Sequence, residues 1–232
     1  MGDAPRGPLL VRCPAKVNLG LWILGRRPDG YHEIDTILQT IALEDDLRLE
    51  PAPAGRTGLV FRSEGRPIPG GGPNLVERAY ALLEEEGLLP RGAGLTATLV
   101  KRIPIGAGLG GGSSDAAGML AGASRYFGLD LPAARLEGLA ARLGSDVPFF
   151  VRGGTARATG RGDRVGHLCP IPPLWVVLAS PPLLISTGWA YGALRNELTA
   201  RGSDASILGS VLAEGRLDGV ADAMRNVFED VI

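Results

Sequence analysis

The chain has 232 residues, of which 45% are hydrophobic and 21% charged, and its net charge is −1. That is apolar material for one large domain or two small ones, and the even charge excludes the basic excess of a groove built for nucleic-acid phosphates. Two distant cysteines, Cys13 and Cys169, and the lack of any bilayer-length apolar run point to a soluble, cytoplasmic protein with no membrane partner.

Met1 to Pro8 lacks the apolar core of a signal peptide. Leu9 to Ile23 reads as strand, with Pro14 forcing a break or an edge inside it. Arg27-Pro28-Asp29-Gly30 is a turn, and Ile34 to Ile41, Asp46 to Glu50 and Leu59 to Arg62 read as three further strands. Glu64 to Pro73, with three Pro and four Gly, is a loop. Asn74 caps a helix whose apolar face is Leu75, Ala79, Leu82 and Leu83, and Gly87 stops it. Leu95 to Val100 alternates apolar residues with Thr, as a half-buried strand does.

After the glycines that follow, Ala116, Met119, Leu120, Ala123 and Phe127 repeat at helical spacing from Ser114 until Gly128. Another helix starts near Pro132, carries Leu136, Leu139, Ala140 and Leu143, and stops at Gly144. Trp175 to Ala179 is a buried-strand candidate, and two helices are expected near Trp189 to Arg201 and Leu217 to Ile232. In the last of these, Val220, Met224, Val227, Phe228, Val231 and Ile232 would form one uncapped apolar stripe, so the chain is expected to be cut short. Strand blocks with intervening helices predict an α+β fold, with a boundary near Gly153-Gly154.

Much of the glycine is clustered. From Gly106 to Gly112 side chains are nearly absent, so the backbone is free to curl and aim successive N–H groups at one point. The helix that follows contributes its unpaired N–H groups and the positive end of its dipole. The combination reads as a phosphate cradle, with Ser113 and Ser114 adding hydroxyl donors. Gly106, Gly108 and Gly111 match G-x-G-x-x-G, but Lys101-Arg102-Ile103-Pro104 separates them from the strand, unlike a dinucleotide site. No Lys follows the glycines, so a Walker loop fails as well.

Pro104-Ile105-Gly106-Ala107-Gly108-Leu109-Gly110-Gly111-Gly112-Ser113-Ser114-Asp115-Ala116-Ala117 resembles the second motif of the GHMP kinase superfamily. Pro14-Ala15-Lys16-Val17-Asn18-Leu19, Asp29-Gly30-Tyr31-His32 and Gly144-Ser145-Asp146-Val147-Pro148-Phe149-Phe150 resemble one branch of it, in that branch's order. Those enzymes phosphorylate a cytidylyl sugar alcohol, 4-diphosphocytidyl-2-C-methyl-D-erythritol, in non-mevalonate isoprenoid biosynthesis. The resemblance implies a two-lobed fold. An N-terminal ribosomal-protein-S5-like lobe over 1–153 holds ATP and the catalytic groups, and an incomplete α/β lobe over 154–232 holds the substrate side. The family's third Gly-rich motif is not reached.

By the same resemblance, ATP contacts fall on Pro104, Gly106, Gly108, Leu109, Gly110, Gly111, Gly112, Ser113 and Ser114, with Asn74 and Leu75 on the adenosine side. Lys101 leans toward nucleotide or is a solvated strand-end lysine. Asp146 is implied as the catalytic base, although an Asp before Val-Pro also signals a helix N-cap. Lys16, inside an apolar stretch, must reach water or a partner such as Asp146, and would offset charge on the transferring phosphoryl group. Asn18 lies two residues on, on the same strand face, and reads as a substrate hydrogen-bonding group. Tyr31 and His32 are implied as cytosine contacts, against a core Tyr and a solvent-facing His. Tyr191, after Ile185-Ser186-Thr187, is a second aromatic over the base or a core residue. His167 is assigned nothing. Magnesium is expected with the ATP, its protein ligands open among Ser113, Ser114 and Asp146. Oligomeric state stays open.

Overall fold

A computed structural model describes residues 7–68, 71–179, 187–194, 203–215 and 217–230. Helices and strands are mixed as an α+β fold demands. The strands are β1 (Leu9–Arg26), β2 (His32–Pro51), β3 (Gly58–Gly65), β4 (Gly94–Lys101), β5 (Thr155–Gly160), β6 (Arg164–His167) and β7 (Arg225–Asn226). The helices are α1 (Leu75–Glu85), α2 (Gly111–Tyr126), α3 (Ala133–Leu143), α4 (Val147–Arg152), α5 (Thr187–Ala193), α6 (Ala205–Ala213) and α7 (Leu217–Ala223), followed by a 3₁₀ turn at Val227–Asp230. Among the described residues no helix is long and apolar enough to cross a membrane.

The chain divides into two compact units. The first takes Met1–Ala15, Ala42–Ile105 and Gly110–Arg152; the second takes Lys16–Ile41, Gly106–Leu109 and Gly153–Ile232. In the first, the strand order is β3-β4-β2-β1. β3 runs parallel to β4, and β4 antiparallel to β2, with Asp46 opposite Val100. Helix α2 lies close on this sheet because it has almost no side chains on that face. A Cβ at Gly118 would stand 2.5 Å from Cys13 Sγ, and one at Gly122 2.8 Å from Leu49 Cδ1. A single methyl at either position would push the helix off the sheet.

In the second unit the order is β6-β5-β2-β1-β7. Residues 34–39 of β2 pair antiparallel with β5, and Gly20 and Leu21 of β1 pair in parallel with β7. Leu19, Trp22 and Ile37 pack with Leu208, Val211, Leu212 and Val220. Leu21, Ile23, Ile34 and Val227 form a separate cluster, with Tyr191 and Phe228 against it.

Several expectations are corrected. Ile34 to Ile41 and Asp46 to Glu50 belong to one strand, β2, because nothing in Ala42-Leu43-Glu44-Asp45 interrupts the pleat. Of the two outcomes expected at Pro14, a break or an edge, β1 shows the edge and runs on unbroken. The N–H of Lys16, two residues on and aimed to the same side, goes to Leu109 O (2.9 Å), so that side carries no ladder bond for proline to forfeit. Helix α2 opens at Gly111, not Ser114. Trp175 to Ala179 is not a buried strand: Trp175 is 103% and Val177 95% exposed, and no described strand pairs with them.

The last segment is not one helix. It ends at Ala223, turns into β7, and sends Val220 and Val227 into different clusters, so strand pairing overrides a helical stripe. Residues 195–202, the end of the helix expected near Trp189, lie outside the described residues, as do Val231 and Ile232. Helix α4 starts where the N-cap signal at Asp146 allowed one; helix α6 was not anticipated, and Leu208, Val211 and Leu212 were its legible signal.

Candidate active site

Glycine is needed at three places in the loop for a conformational reason. Gly106, Gly108 and Gly110 adopt φ of 74°, 73° and 69°, the left-handed region that other residues enter only at a cost. The chain curls and arrives at α2 with Gly110 as N-cap, and no side chain bonds the first turn there. Ser114 N reaches Gly110 O (2.9 Å), but the earlier N–H groups, at Gly111, Gly112 and Ser113, have no place in the helical ladder. Open N–H groups at the positive end of a helix dipole are what an anion site requires. Ser114 is buried, and its Oγ has no hydrogen-bond partner among the described residues.

The start of α1 is built the opposite way. Asn74 Oδ1 accepts from Val76 N (2.9 Å) and Glu77 N (3.1 Å), while Glu77 Oε2 accepts from Asn74 N (2.9 Å), a closed capping box. Leu75 is the neighbour of the glycine loop here: a Cβ at Gly112 would lie 3.5 Å from Leu75 Cδ1. Asn74 and Leu75 thus stand beside the loop exit, with Asn74's side-chain oxygen already committed to the cap.

Lys101 is not a solvated strand-end lysine. It is 5% exposed, and its ammonium donates to Asp45 and, at 2.8 Å, to Asp115 Oδ2. Burial pulls its pKa down, but the two carboxylates outweigh that and hold it above the ordinary lysine value. Burial pushes the Asp115 carboxyl up to about 7, against the opposing pull of Lys101. Asp45 and Asp115 were missed in the sequence. Asp115 sits inside the glycine motif, but nothing local announced that Asp45 would join it.

Lys16 and Asn18 do share a strand face. Lys16 Nζ donates to Asn18 Oδ1 (2.6 Å), and Asn18 Nδ2 donates to Thr36 Oγ1 (2.8 Å), which in turn donates to Gly20 O (2.6 Å). Both ends of the Asn18 amide are therefore engaged by the protein. Lys16 belongs to the second unit, with Leu109; Asp146 belongs to the first, half-buried at the residue before α4, the N-cap position.

The predicted base-reading residues fall in the second unit and are brought together. His32 and Tyr191 stack with ring centroids 5.1 Å apart, and Phe228 meets Tyr191 edge-on at 5.1 Å. Tyr31 is exposed, with the Arg161 guanidinium 4.8 Å above its ring. Burial first, and then the charge of Arg26, hold His32 below its ordinary value, so the ring is neutral at pH 7. Phe228 and Arg161 were not anticipated. Thr187 opens α5; Ile185 and Ser186 before it lie outside the described residues. Among the described residues there is no group of three His, Cys, Asp or Glu side chains fit to hold a metal ion.

Residues 74–154 match the family model of the GHMP kinases N terminal domain. The chain is 43% identical over 217 residues to a 4-diphosphocytidyl-2-C-methyl-D-erythritol kinase of Pelotomaculum thermopropionicum, covering 94% of this chain and 74% of that protein. It is 42% identical over 224 residues to the enzyme of that name from Bacillus cereus, covering 96% and 75%. Among solved structures, a 4-(cytidine 5'-diphospho)-2C-methyl-D-erythritol kinase superposes with a TM-score of 0.75 at 36% identity, over 96% of this chain and 76% of that one.

Proposed function

From the premise that this chain belongs to the 4-diphosphocytidyl-2-C-methyl-D-erythritol kinase family, we propose that it transfers the γ-phosphoryl group of ATP to the 2-hydroxyl of that cytidylyl alcohol, a step of non-mevalonate isoprenoid precursor synthesis. The observation that carries the reading is the uncapped mouth of α2, where three left-handed glycines deliver free N–H groups beside an orphaned serine hydroxyl.

In this reading Gly106 to Gly112 wraps the triphosphate, with Pro104 setting the loop's entry and Asn74 and Leu75 lying on the nucleoside side. Residues 1–153 carry the nucleotide and catalytic groups together with Tyr31 and His32, and 154–232 add Tyr191 on the cytidylyl side. The acceptor oxygen attacks the γ-phosphorus in line, the bond to the bridging oxygen breaks, and ADP leaves. Asp146 takes the hydroxyl proton, and Lys16 offsets charge on the phosphoryl oxygens. Asn18 holds the Lys16 ammonium through Oδ1 and so orients it. Tyr31, His32 and Tyr191 take the cytosine, by ring stacking and by the neutral imidazole's one donor and one acceptor.

The residues also fit magnesium. Ser114 Oγ is a buried oxygen with its lone pairs unclaimed, and a magnesium site on ATP needs few protein ligands because phosphate oxygens and water supply the rest. When bound, the ion neutralises charge shared by the β- and γ-phosphates.

Turnover of ATP with magnesium, compared across the cytidylyl alcohol, mevalonate and homoserine, tests the proposal: only the first is expected to be phosphorylated, and turnover of the others alone contradicts it. Asp146→Asn should lower kcat about a thousandfold while ATP still binds, since a positioned general base contributes on that order. Rates like the parent's would remove Asp146 from the mechanism.

A further inference from the structure

The glycine loop has almost no side chains with which to hold its own shape, so its geometry must come from its two ends. The entry is fastened several times. Asp45 Oδ1 accepts from Ile103 N at 2.9 Å and also from Arg102 N. Lys101 O accepts from Arg66 N (3.1 Å), and Arg102 O from Arg66 Nε (3.0 Å). The exit is Asp115, at the start of the second turn of α2. Its Oδ2 accepts from Lys101 Nζ, the same ammonium that donates to the other oxygen of Asp45. One buried cation therefore links β2, the end of β4 and the start of α2, all within the first unit.

Gly111 completes the arrangement. Its backbone is helical, so conformational freedom is not why it is glycine. A Cβ there would stand 2.8 Å from Lys101 Nζ and 2.9 Å from Ile103 Cγ2. The ammonium occupies the space a side chain would need.

We infer that Asp45, Lys101 and Asp115 are positioning residues for phosphoryl transfer: a buried tether that sets the separation of the loop's entry and exit, and with it the aim of the N–H groups at α2. None of the three needs to touch substrate to do this. A loop tied at both ends keeps its donors where the transferring charge develops, and small displacements there are expensive in rate. The activity arm of the test rests on the kinase reading; the exchange arm does not.

Amide hydrogen exchange on the ligand-free chain is the first measurement. Asp115→Ala removes the exit end and leaves Lys101 paired with Asp45. Asp115→Asn keeps an oxygen for Lys101. In the Ala variant, amides of residues 105–114 should exchange about tenfold faster while those of α1 and the second half of α2 keep the parent's rates, because only the loop's local opening is affected. The Asn variant should behave as the parent. Parental exchange in the Ala variant overturns the tether, as does uniform acceleration across the unit. Equal effects in Ala and Asn overturn it too, since charge and not the bond would then matter.

In the activity arm, Asp115→Ala should lower kcat about tenfold with the KM of the cytidylyl alcohol unchanged, because the displaced donors face the transferring phosphoryl group and not that substrate. Asn should restore kcat. A purely structural role would move melting temperature and leave kcat per folded molecule alone. If the Ala variant fails to fold, Gly111→Ala takes its place. It keeps all three charged groups and drives a methyl onto Nζ, so the same local acceleration is expected, and parental exchange overturns the tether. A parent chain that does not turn over ATP counts against the kinase reading, and the exchange result still decides the tether.

Discussion

Two helices of the first unit begin in opposite ways. At α1, Asn74 and Glu77 close the N-terminus with reciprocal hydrogen bonds. At α2, Gly110 stands where a capping side chain would be, and the first-turn N–H groups are left open. A glycine N-cap gives up only roughly a few tenths of a kcal/mol against Ser, Asn or Asp, so a helix of 16 residues leaves that end open at small cost in stability. The difference is one of hydrogen bonding: the capped end closes on its own side chains, and the bare end leaves N–H groups and a positive dipole end that an anion would satisfy.

The largest way to break this contrast is to cap α2. Asp tolerates the left-handed conformation better than most residues, so Gly110→Asp should fold. Its carboxylate would take the free N–H groups and repel the triphosphate, and the KM for ATP should rise about a hundredfold, the scale of a few kcal/mol between close charges. An unchanged KM would mean that the phosphates bind elsewhere.

A smaller effect is expected at Gly108. A Cβ there meets nothing within 4 Å, so φ of 73° is the only obstacle. Gly108→Ala should raise the KM for ATP roughly tenfold through the cost of the left-handed conformation. No effect would show that the loop's curl is not what aims the donors.

The converse change sharpens the comparison. Asn74→Ala should cost about 1 kcal/mol, read as a shift in the urea midpoint, because α1 uses its cap for stability. A loss confined to ATP affinity, with the midpoint unmoved, would make the two helix ends alike.

The smallest effect belongs to the second unit, where the proposed base contacts are side chains. His32 titrates below its ordinary value, so its neutral form dominates at pH 7 and persists as pH falls to about 6.5. Below the folded value the imidazolium forms and loses its acceptor. Affinity for the cytidylyl alcohol should then drop about threefold while ATP affinity holds. The sign for stability is the same: the unfolded ring protonates first, so stability declines as pH falls through this window. Parallel losses for both ligands would take His32 out of base reading.

How much was legible varied by residue and for physical reasons. The loop's curl was readable because glycine's role is local: φ at Gly106, Gly108 and Gly110 follows from the lack of a Cβ, and the helix follows directly in the chain. Asn74 was readable as a cap for the same reason. Gly111 carries the same letter but serves a different need, the packing of Lys101 beneath it. Lys101 and Asp45 pair across strands far apart in sequence, so no local pattern announces them. The apolar run at the C-terminus was misread as one helix because periodicity does not record that Arg225 and Asn226 find a strand partner in Gly20 and Leu21.

The sequence by itself determined the curl of the glycine loop, the α+β class and the kinase family, because these rest on short contiguous motifs whose chemistry is backbone conformation. Tertiary structure alone decided that Lys101 is buried between two carboxylates, that Tyr191 stacks on His32, and that Phe228 meets Tyr191. These depend on which distant side chains share a low-dielectric space, and burial, not residue type, sets both the partner and the charge state there.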